Sequence, residues 1–109
     1  MEIDDIDVRL IKLFYELKPK ETTNTYILTQ KIYPNKKSYD IVRKYPLIKN
    51  RLKKLNNYGL IKIDTSNCKK VFELQTQNVE FKKIKFKKNF YKVICLKIED
   101  EWCAFSFKY

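Results

Sequence analysis

The chain contains a single glycine, Gly59, which separates two different hydrophobic patterns. Before it, three aliphatic residues recur at spacings of four and three and so share one face of a helix: Ile48, Leu52 and Leu55. After it, residues 60–65 alternate between apolar and polar side chains, as a half-buried strand does. Glycine readily takes the left-handed conformation just past a helix end, and proline suits a first helical turn. The stretch 45–64 therefore predicts a helix with Pro46 in its first turn, a glycine stop and a strand.

The side of this predicted helix that faces away from its aliphatic residues is polar and basic. Its face and flanks carry the following side chains: Lys49, Asn50, Arg51, Lys53, Lys54 and Asn57. No acidic residue occurs between Tyr45 and Ile63. A surface whose charges are all positive attracts polyanions, although a basic helix face can also be simply solvated. We interpret it as a surface for the groove of a nucleic acid.

The pattern resembles the recognition helix of winged helix-turn-helix proteins, which has the form x-L-x-x-L-x-x-x-G-L-I and leads into a β-wing. The matching residues are Leu52, Leu55, Gly59, Leu60 and Ile61. A helix, a glycine and a strand in this order also occur in unrelated α+β domains. The resemblance implies a helix that lies in the major groove of DNA with its N-terminal half nearest the bases.

The N-terminal stretch predicts a first helix from about Asp5 to Lys18. Its apolar residues recur at helical spacing: Ile3, Ile6, Leu10, Leu13, Phe14 and Leu17. Asp4 or Asp5 can accept hydrogen bonds from the free N–H groups of the first turn, and carboxylates suit the positive end of the helix dipole. We therefore interpret Asp4, Asp5 and Asp7 as capping residues rather than as metal ligands.

A second helix is predicted from Tyr26 to Tyr33, where Pro34 ends it. Its capping candidates are Thr22, Thr23 and Asn24. The resemblance implies that this second helix is the support helix, and that Thr29 lies where the support helix packs close to the recognition helix.

A helix-turn-helix joins its helices by about 3 to 4 residues, so residues 34–44 form a predicted insertion. This insertion could contain a helical turn capped by Ser38, and its basic residues could contact phosphates or be solvated: Lys36, Lys37, Arg43 and Lys44.

Two predicted strands, residues 60–65 and 71–75, are joined by residues that favour turns. In the family that the chain resembles, a hairpin at this position is the wing. Lys69 and Lys70 lie at its tip. We expect them to contact a phosphate or the minor groove, although solvation explains their position equally well.

From Val79 onwards, lysines alternate with aromatic and aliphatic residues at a period of two, which predicts strands. Such a sheet could track phosphates and stack its rings on unpaired bases. The interpretation that we favour is a sheet with an apolar core face and a lysine face that repels other strand edges. Residues 93–98 are apolar on both faces and need cover on both. The three helices can cover one of these faces, and residues 102–109 are predicted to pair back as a hairpin. Because the other face then needs a partner, we expect a homodimer through the C-terminal strands.

Length and composition fit one α+β domain with one core. We expect a three-helix winged-helix core with its wing in residues 1–76, and a C-terminal β extension of the same domain in residues 77–109. The chain has 24 Lys and Arg against 13 Asp and Glu, a net charge of +11, which makes nucleic acid the first expected partner and an anionic membrane the second. A chain so rich in Lys, Asn, Ile, Tyr and Phe is also what an AT-rich genome encodes, which weakens the argument from charge.

Several other classes of protein are disfavoured. No apolar run approaches the roughly 20 residues of a membrane span and the acidic start is unlike a secretory signal, so we expect a cytoplasmic protein. Three cysteines without C-x-x-C spacing indicate neither a disulfide scaffold nor a zinc finger, although Cys95 and Cys103 could face each other across a hairpin. Without histidine, the commonest general base and the usual metal ligand are missing. We expect no enzymatic activity, cofactor, metal ion or small-molecule ligand.

The expected function is the binding of double-stranded DNA by a small winged-helix transcription regulator, through its basic helix and wing. The main alternative is a winged-helix module that binds protein and not DNA. A remote alternative is a metal-dependent nuclease, because Asp64 and Glu80-Phe81-Lys82 resemble the D…E-x-K arrangement of restriction-like nucleases. A lysine-rich chain also produces E-x-K by chance, as at Glu16-Leu17-Lys18.

Overall fold

The computed structural model describes residues 3–16, 24–64 and 71–107, and these ranges form an α+β fold. Three helices come first: α1 (Asp5–Glu16), α2 (Thr25–Ile32) and α3 (Ser38–Asn57). Two antiparallel sheets follow, one of β1 (Ile61–Asp64) and β2 (Val71–Leu74), the other of β3 (Val79–Phe86), β4 (Asn89–Ile98) and β5 (Glu101–Phe107). The predicted class, with three helices before antiparallel strands, is confirmed.

Polar caps define the starts of α1 and α2. The backbone N–H of Asp7 donates to Asp4 Oδ1 at 3.0 Å, and the N–H of Asp4 donates back to Asp7 Oδ2 at 3.1 Å. This reciprocal pair is a capping box, which satisfies N–H groups that a helix start leaves free. At α2, Asn24 Oδ1 accepts from the N–H of Ile27 at 2.8 Å. The prediction that these polar residues act as caps is therefore confirmed.

The C-terminal end of α2 differs slightly from the prediction, and the end of α1 stays a prediction. In the described residues α1 extends to Glu16, and its predicted end at Lys18 lies outside them. α2 ends at Ile32, one residue earlier than expected, and Tyr33 is its C-cap. Leu28 and Ile32 are buried, as the short apolar stripe of this helix predicts.

The largest correction concerns α3, which begins at Ser38 and not near Tyr45. Pro46 therefore lies inside the helix instead of in its first turn, where its missing N–H removes one intrahelical hydrogen bond. Burial offsets that loss, because Ile41 is 1% exposed and lies seven residues before the fully buried Ile48, on the same side of the helix. The position of a proline alone was a poor guide to the helix start.

The predicted insertion between α2 and α3 is wrong for the same reason. Residues 38–44 form the first turns of α3, so the connection is confined to residues 33–37. That length is close to the 3 or 4 residues typical of a helix-turn-helix. Lys37, and not Ser38, takes the N-cap position, and its side chain makes no capping hydrogen bond.

Gly59 ends α3 as predicted, with a φ of 74°. Its N–H donates to the carbonyl of Asn56, and the N–H of Leu60 donates to the carbonyl of Leu55, both at 3.0 Å. Such bonds satisfy carbonyls that the helix end leaves free. The turn leads directly into β1, which pairs antiparallel with β2 to form the predicted hairpin.

β4 is the central strand of the second sheet and pairs antiparallel with both β3 and β5. Its even-numbered residues Ile94, Leu96 and Ile98 are buried in the core, whereas Val93 and Cys95 face the other way and are half-buried. The predicted hairpin at the C-terminal end is confirmed. Its two turn residues, Glu99 and Asp100, both have positive φ angles, as a tight two-residue hairpin turn requires.

The two described cysteines do not meet. The register pairs Cys95 with Ala104 and Cys103 with Leu96, so the two thiols lie on opposite faces of the sheet. Both cysteines are free. The possibility that Cys95 and Cys103 face each other across the hairpin, which the sequence leaves open, is therefore excluded, because a shift of one residue in a strand register moves a side chain to the other face.

One hydrophobic core joins the helices to both sheets. Its buried members are Val8, Leu10, Ile11, Phe14, Leu28, Ile32, Ile48, Leu52, Leu55, Leu60, Ile61, Val79, Ile94, Leu96 and Ile98. Residues before and after position 76 therefore contribute to the same core. Within the described ranges, none of the helices combines the length and the apolar character needed to cross a membrane.

Candidate nucleic-acid interface

α3 divides sharply into a buried and an exposed side. The buried side consists of Ile41, Ile48, Leu52 and Leu55. The opposite side, which we call the α3 outer face, consists of exposed residues: Tyr39, Val42, Arg43, Pro46, Lys49, Asn50, Lys53 and Asn57. No carboxylate belongs to this face, because the only acidic residue of α3, Asp40, is half-buried. The face therefore carries cations without any carboxylate, and its N-terminal half also exposes the apolar Val42 and Pro46.

Four of the residues predicted to bind DNA lie on the C-terminal half of the α3 outer face. They are Lys49, Asn50, Lys53 and Asn57, and each is exposed. Their placement follows from helical periodicity, since residues three and four apart share one side of a helix. The structure brings them together as the sequence predicted.

Two other predicted binding residues, Arg51 and Lys54, lie on a flank of α3 that faces α1. Lys54 Nζ forms an ion pair with Asp7 Oδ2, and Arg51 Nη1 lies 3.4 Å from the same oxygen and also pairs with Asp4. Asp7 is fully buried, whereas the side chains of Lys54 and Arg51 are 23% and 27% exposed. A buried carboxylate needs such partners because an unpaired charge away from water is costly. Arg51 and Lys54 therefore hold α3 to the start of α1, and their contact with DNA stays a prediction.

Asp4 has a second role besides capping. Burial raises its pKa, but the hydrogen bond from the backbone of Asp7 and the charge of Arg51 outweigh burial and hold the pKa below the ordinary value of 3.8. The carboxylate is thus kept ionised beside Arg51. Sequence reasoning found the cap and missed the ion pairs, because Asp7 and Arg51 are 44 positions apart.

A groove of about 470 Å³ lies between α3 and the hairpin of β1 and β2. Leu52, Ile63 and Phe72 form its apolar part, and its rim includes Lys49 and Lys53. The ring of Phe72 also packs on Phe14 of α1, with 5.6 Å between centroids. The contact between Phe72 and Phe14 therefore holds the hairpin against the helices. The cationic rim of the groove stays open to solvent.

The N-terminal half of the α3 outer face contains residues that sequence reasoning missed. Tyr39 and Val42 are 61% and 53% exposed, and the Cζ atom of Arg43 lies 4.8 Å from the centroid of the Tyr39 ring. Arg43 was considered only as part of an insertion. The spacing of seven between Ile41 and Ile48 is the signal that could have placed these residues on the helix.

The last two predicted binding residues, Lys69 and Lys70 at the hairpin tip, lie outside the described residues. So does the side chain of Asp64, which the nuclease alternative needs. Glu80 and Lys82 form an ion pair with each other at 3.3 Å. Within the described part of the chain, no group of three His, Cys, Asp or Glu side chains could hold a metal ion.

Comparison with protein-family models, with curated proteins and with solved structures finds no significant match. The residues and their arrangement are therefore the whole basis for assigning a function.

Proposed function

We propose that this protein is a small winged-helix transcription regulator that binds double-stranded DNA with α3 as its recognition helix. The observation that carries the proposal is the α3 outer face. It combines three cations, Arg43, Lys49 and Lys53, with two asparagines and contains no carboxylate. A helix fits the major groove of DNA, which is about 12 Å wide and lined by phosphates. A face of this charge and shape is suited to that groove.

The order of elements also supports the proposal. α2 is followed by a connection of residues 33–37, then by α3 and the hairpin of β1 and β2. This is the order of support helix, recognition helix and wing in the family that the sequence resembles. Recognition helices of helix-turn-helix proteins contact bases mainly through their N-terminal residues. Because α3 starts at Ser38, the base-contacting positions would include Tyr39, Val42 and Arg43.

The side chains of the α3 outer face suit different parts of DNA. An arginine can bind guanine through two hydrogen bonds, an asparagine can bind adenine in the same way, and an apolar side chain can contact the thymine methyl group. Arg43, Asn50 and Val42 offer these chemistries. Lys49 and Lys53 are suited to phosphates, which position a protein on DNA without reading its sequence.

Salt dependence of duplex binding tests the proposal. If Lys49 and Lys53, with or without Arg43, neutralise about two or three phosphates, the logarithm of affinity should fall against the logarithm of salt concentration with a slope of about −2 to −3. Selection from a randomised duplex pool would reveal any sequence preference. Asn50→Ala should weaken that preference, whereas Lys53→Ala should lower affinity for all sequences alike. No binding to duplex at low salt would contradict the proposal.

We also propose that two copies associate through the sheet face that points away from the core. This face, which we call the apolar sheet face, carries the half-buried Val93 and Cys95 and three exposed apolar side chains, next to the charged Glu80, Lys82 and Lys97. The exposed ones are Ile84, Tyr91 and Trp102, at 45%, 46% and 49%. Exposed apolar patches favour association, and a dimer would offer two α3 helices to two half-sites. Light scattering should give twice 13.3 kDa, and a single species of 13.3 kDa at micromolar concentration would contradict the dimer.

The same apolar sheet face favours the alternative function, a winged-helix module that binds another protein instead of DNA. The two functions make opposite predictions for Trp102→Ala, a change at an exposed position of β5. In a DNA-binding protein, Trp102→Ala should weaken the dimer but leave each copy its duplex contacts through α3. A protein-binding module should lose its partner and show no salt-dependent affinity for duplex.

The proposal contains no catalytic step. Plasmid DNA incubated with the protein and Mg²⁺ or Mn²⁺ should therefore remain intact. Cleavage that Asp64→Ala abolishes would instead support the metal-dependent nuclease, in which carboxylates hold the metal ion and a lysine assists the attacking water.

A further inference from the structure

The distal half of the hairpin formed by β3 and β4 carries a second basic surface, separate from α3. The register places Phe81 opposite Ile94, Lys83 opposite Lys92, and Lys85 opposite Phe90, so these pairs share one face of the sheet. Near Ile94 this face is covered by the core. Further out it is open, because Phe90 is 65% exposed.

The C-terminal end of α1 lies beside this open face. The ring of Tyr15, 59% exposed, lies 4.0 Å from the ring of Phe81 between centroids, with 31° between the ring planes. A hollow of about 270 Å³ adjoins this ring pair and is lined by lysines that include Lys83 and Lys92. We call the surface formed by Tyr15, Phe81, Lys83, Lys85, Phe90 and Lys92 the lysine–aromatic strip.

The strip has an aromatic ring at each end and lysines between. Phe90 pairs with Lys85, which lies four residues after Phe81 on β3. The two aromatic ends of the strip are therefore about 13 Å apart along the strand. Stacked nucleotides of one strand rise about 3.4 Å each, so about four of them span that distance. This is the low end of the 4 to 16 nucleotides that a single-strand-binding domain of the OB type covers.

The charge around the strip is predominantly positive. Residues 81–98 contain seven lysines and no acidic residue. The nearby carboxylates are each matched by a lysine, Glu16 by Lys12 at 3.7 Å and Glu80 by Lys82 at 3.3 Å. The Nζ atoms of Lys83 and Lys85 lie 5.8 and 5.7 Å from the Phe90 ring centroid. A base stacked on that ring would displace an ammonium group from its face and bring the phosphates of its own strand next to both lysines.

We propose that the lysine–aromatic strip binds unpaired nucleotides, with bases stacked on Tyr15 and Phe90 and phosphates held by Lys83 and Lys92. Exposed rings can stack only on bases whose faces are free, and duplex DNA hides those faces in its own stack. Basic grooves with aromatic side chains are the general solution for single strands. The strip thus extends the protein's range from duplex to unpaired nucleic acid, on a surface that does not depend on α3.

The test measures binding of a fluorescein-labelled thymidine oligomer of about four nucleotides, the length that one strip spans, at low salt. Phe90→Ala and Tyr15→Ala should each weaken binding by about 5- to 150-fold, the range for loss of one stacked base. Tyr15→Phe should bind as the unchanged protein does. The control is Ile27→Ala, which truncates an exposed apolar side chain on α2, outside the strip and outside the sheet face proposed for association, and should leave the affinity unchanged.

An abasic oligomer of the same length separates stacking from charge. It should bind more weakly than the thymidine oligomer, and Phe90→Ala should not weaken it further. Three results would each overturn the proposal: no binding of the thymidine oligomer at low salt, equal affinity for both oligomers, or an equal loss in Ile27→Ala. Equal competition by polyglutamate would do so as well and would indicate an acidic protein partner. Lys53→Met should leave this assay unchanged, so failure of the strip and failure of the duplex function are distinguishable.

Discussion

Lys53 and Lys54 are neighbours in sequence, yet α3 presents them to different surroundings. A helix turns about 100° per residue, which puts Lys53 on the exposed α3 outer face and Lys54 on the flank that faces α1. There Lys54 meets the buried carboxylate of Asp7. Lys49 and Arg51 differ in the same way. The comparison teaches that the charge of a helix overstates the surface it offers to a polyanion, because part of that charge stabilises the fold.

The largest expected effect is the loss of stability when Asp7 loses its ion pair with Lys54. Lys54→Met keeps the length of the side chain but leaves the fully buried carboxylate of Asp7 with the backbone N–H of Asp4 and, as its cationic partner, Arg51 at 3.4 Å. Breaking a buried pair from one side costs about 3–5 kcal/mol, and because Arg51 remains we expect about 3 kcal/mol of lost stability. Urea unfolding followed by circular dichroism measures it.

Lys53→Met is the matched control for that change. It removes the same group one position earlier, from an exposed site, where substitutions usually alter stability by no more than about 0.5 kcal/mol. Equal losses of stability in the two variants would mean that the division of α3 into a fold-stabilising flank and an outer face is incorrect.

A smaller effect is expected at Arg51. Arg51→Met removes the ion pair with Asp4, whose side chain is 41% exposed, and the longer contact with Asp7. A partly exposed ion pair contributes little to the free energy of unfolding. We therefore expect Arg51→Met to lower that free energy by about 1 kcal/mol in urea unfolding. Lys49→Met, on the outer face, should leave the urea midpoint unchanged, and a midpoint equal to that of Arg51→Met would contradict the comparison.

The smallest effect is a dependence on pH through Asp4. Its pKa is below 3.8 in the folded protein and at the ordinary value in the unfolded chain, so the unfolded chain takes up the proton first as the pH falls. The stability contributed by this carboxylate is fully present above pH 3.8 and is lost as the pH falls through the lowered folded pKa. Asp4→Asn should therefore flatten the acid limb of a plot of stability against pH. An unchanged acid limb would show that Arg51 does not hold this carboxylate.

Local patterns in the sequence predicted much of the fold. The cap at Asn24, the glycine stop at Gly59 and the alternation of β1 depend on neighbouring residues, and the structure has each of them. The start of α3 was mispredicted because burial of Ile41 outweighs the local cost of Pro46, and burial depends on the packed core. The register that separates Cys95 from Cys103 depends on one residue of turn geometry.

The candidate site was predictable only in part, for a similar reason. Helical periodicity places Lys49, Asn50, Lys53 and Asn57 on one side of α3, and it does so without knowledge of the rest of the chain. Whether a cation on a flank is available to a ligand depends on what packs against that flank. For Arg51 and Lys54 the answer lies in α1, more than forty positions away in sequence. Net charge and periodicity contain no information about that contact.

Duplex binding by Lys53→Met and Lys54→Met tests the central claim most directly. Both variants are measured against the unchanged protein over a range of salt concentrations, at a temperature where circular dichroism shows all three to be folded. The account predicts that Lys53→Met binds more weakly and that its salt slope is smaller by about 1, because one phosphate contact is lost. Lys54→Met should keep the slope of the unchanged protein. A smaller slope in Lys54→Met together with an unchanged slope in Lys53→Met would contradict the claim that Lys53 contacts DNA while Lys54 holds the fold.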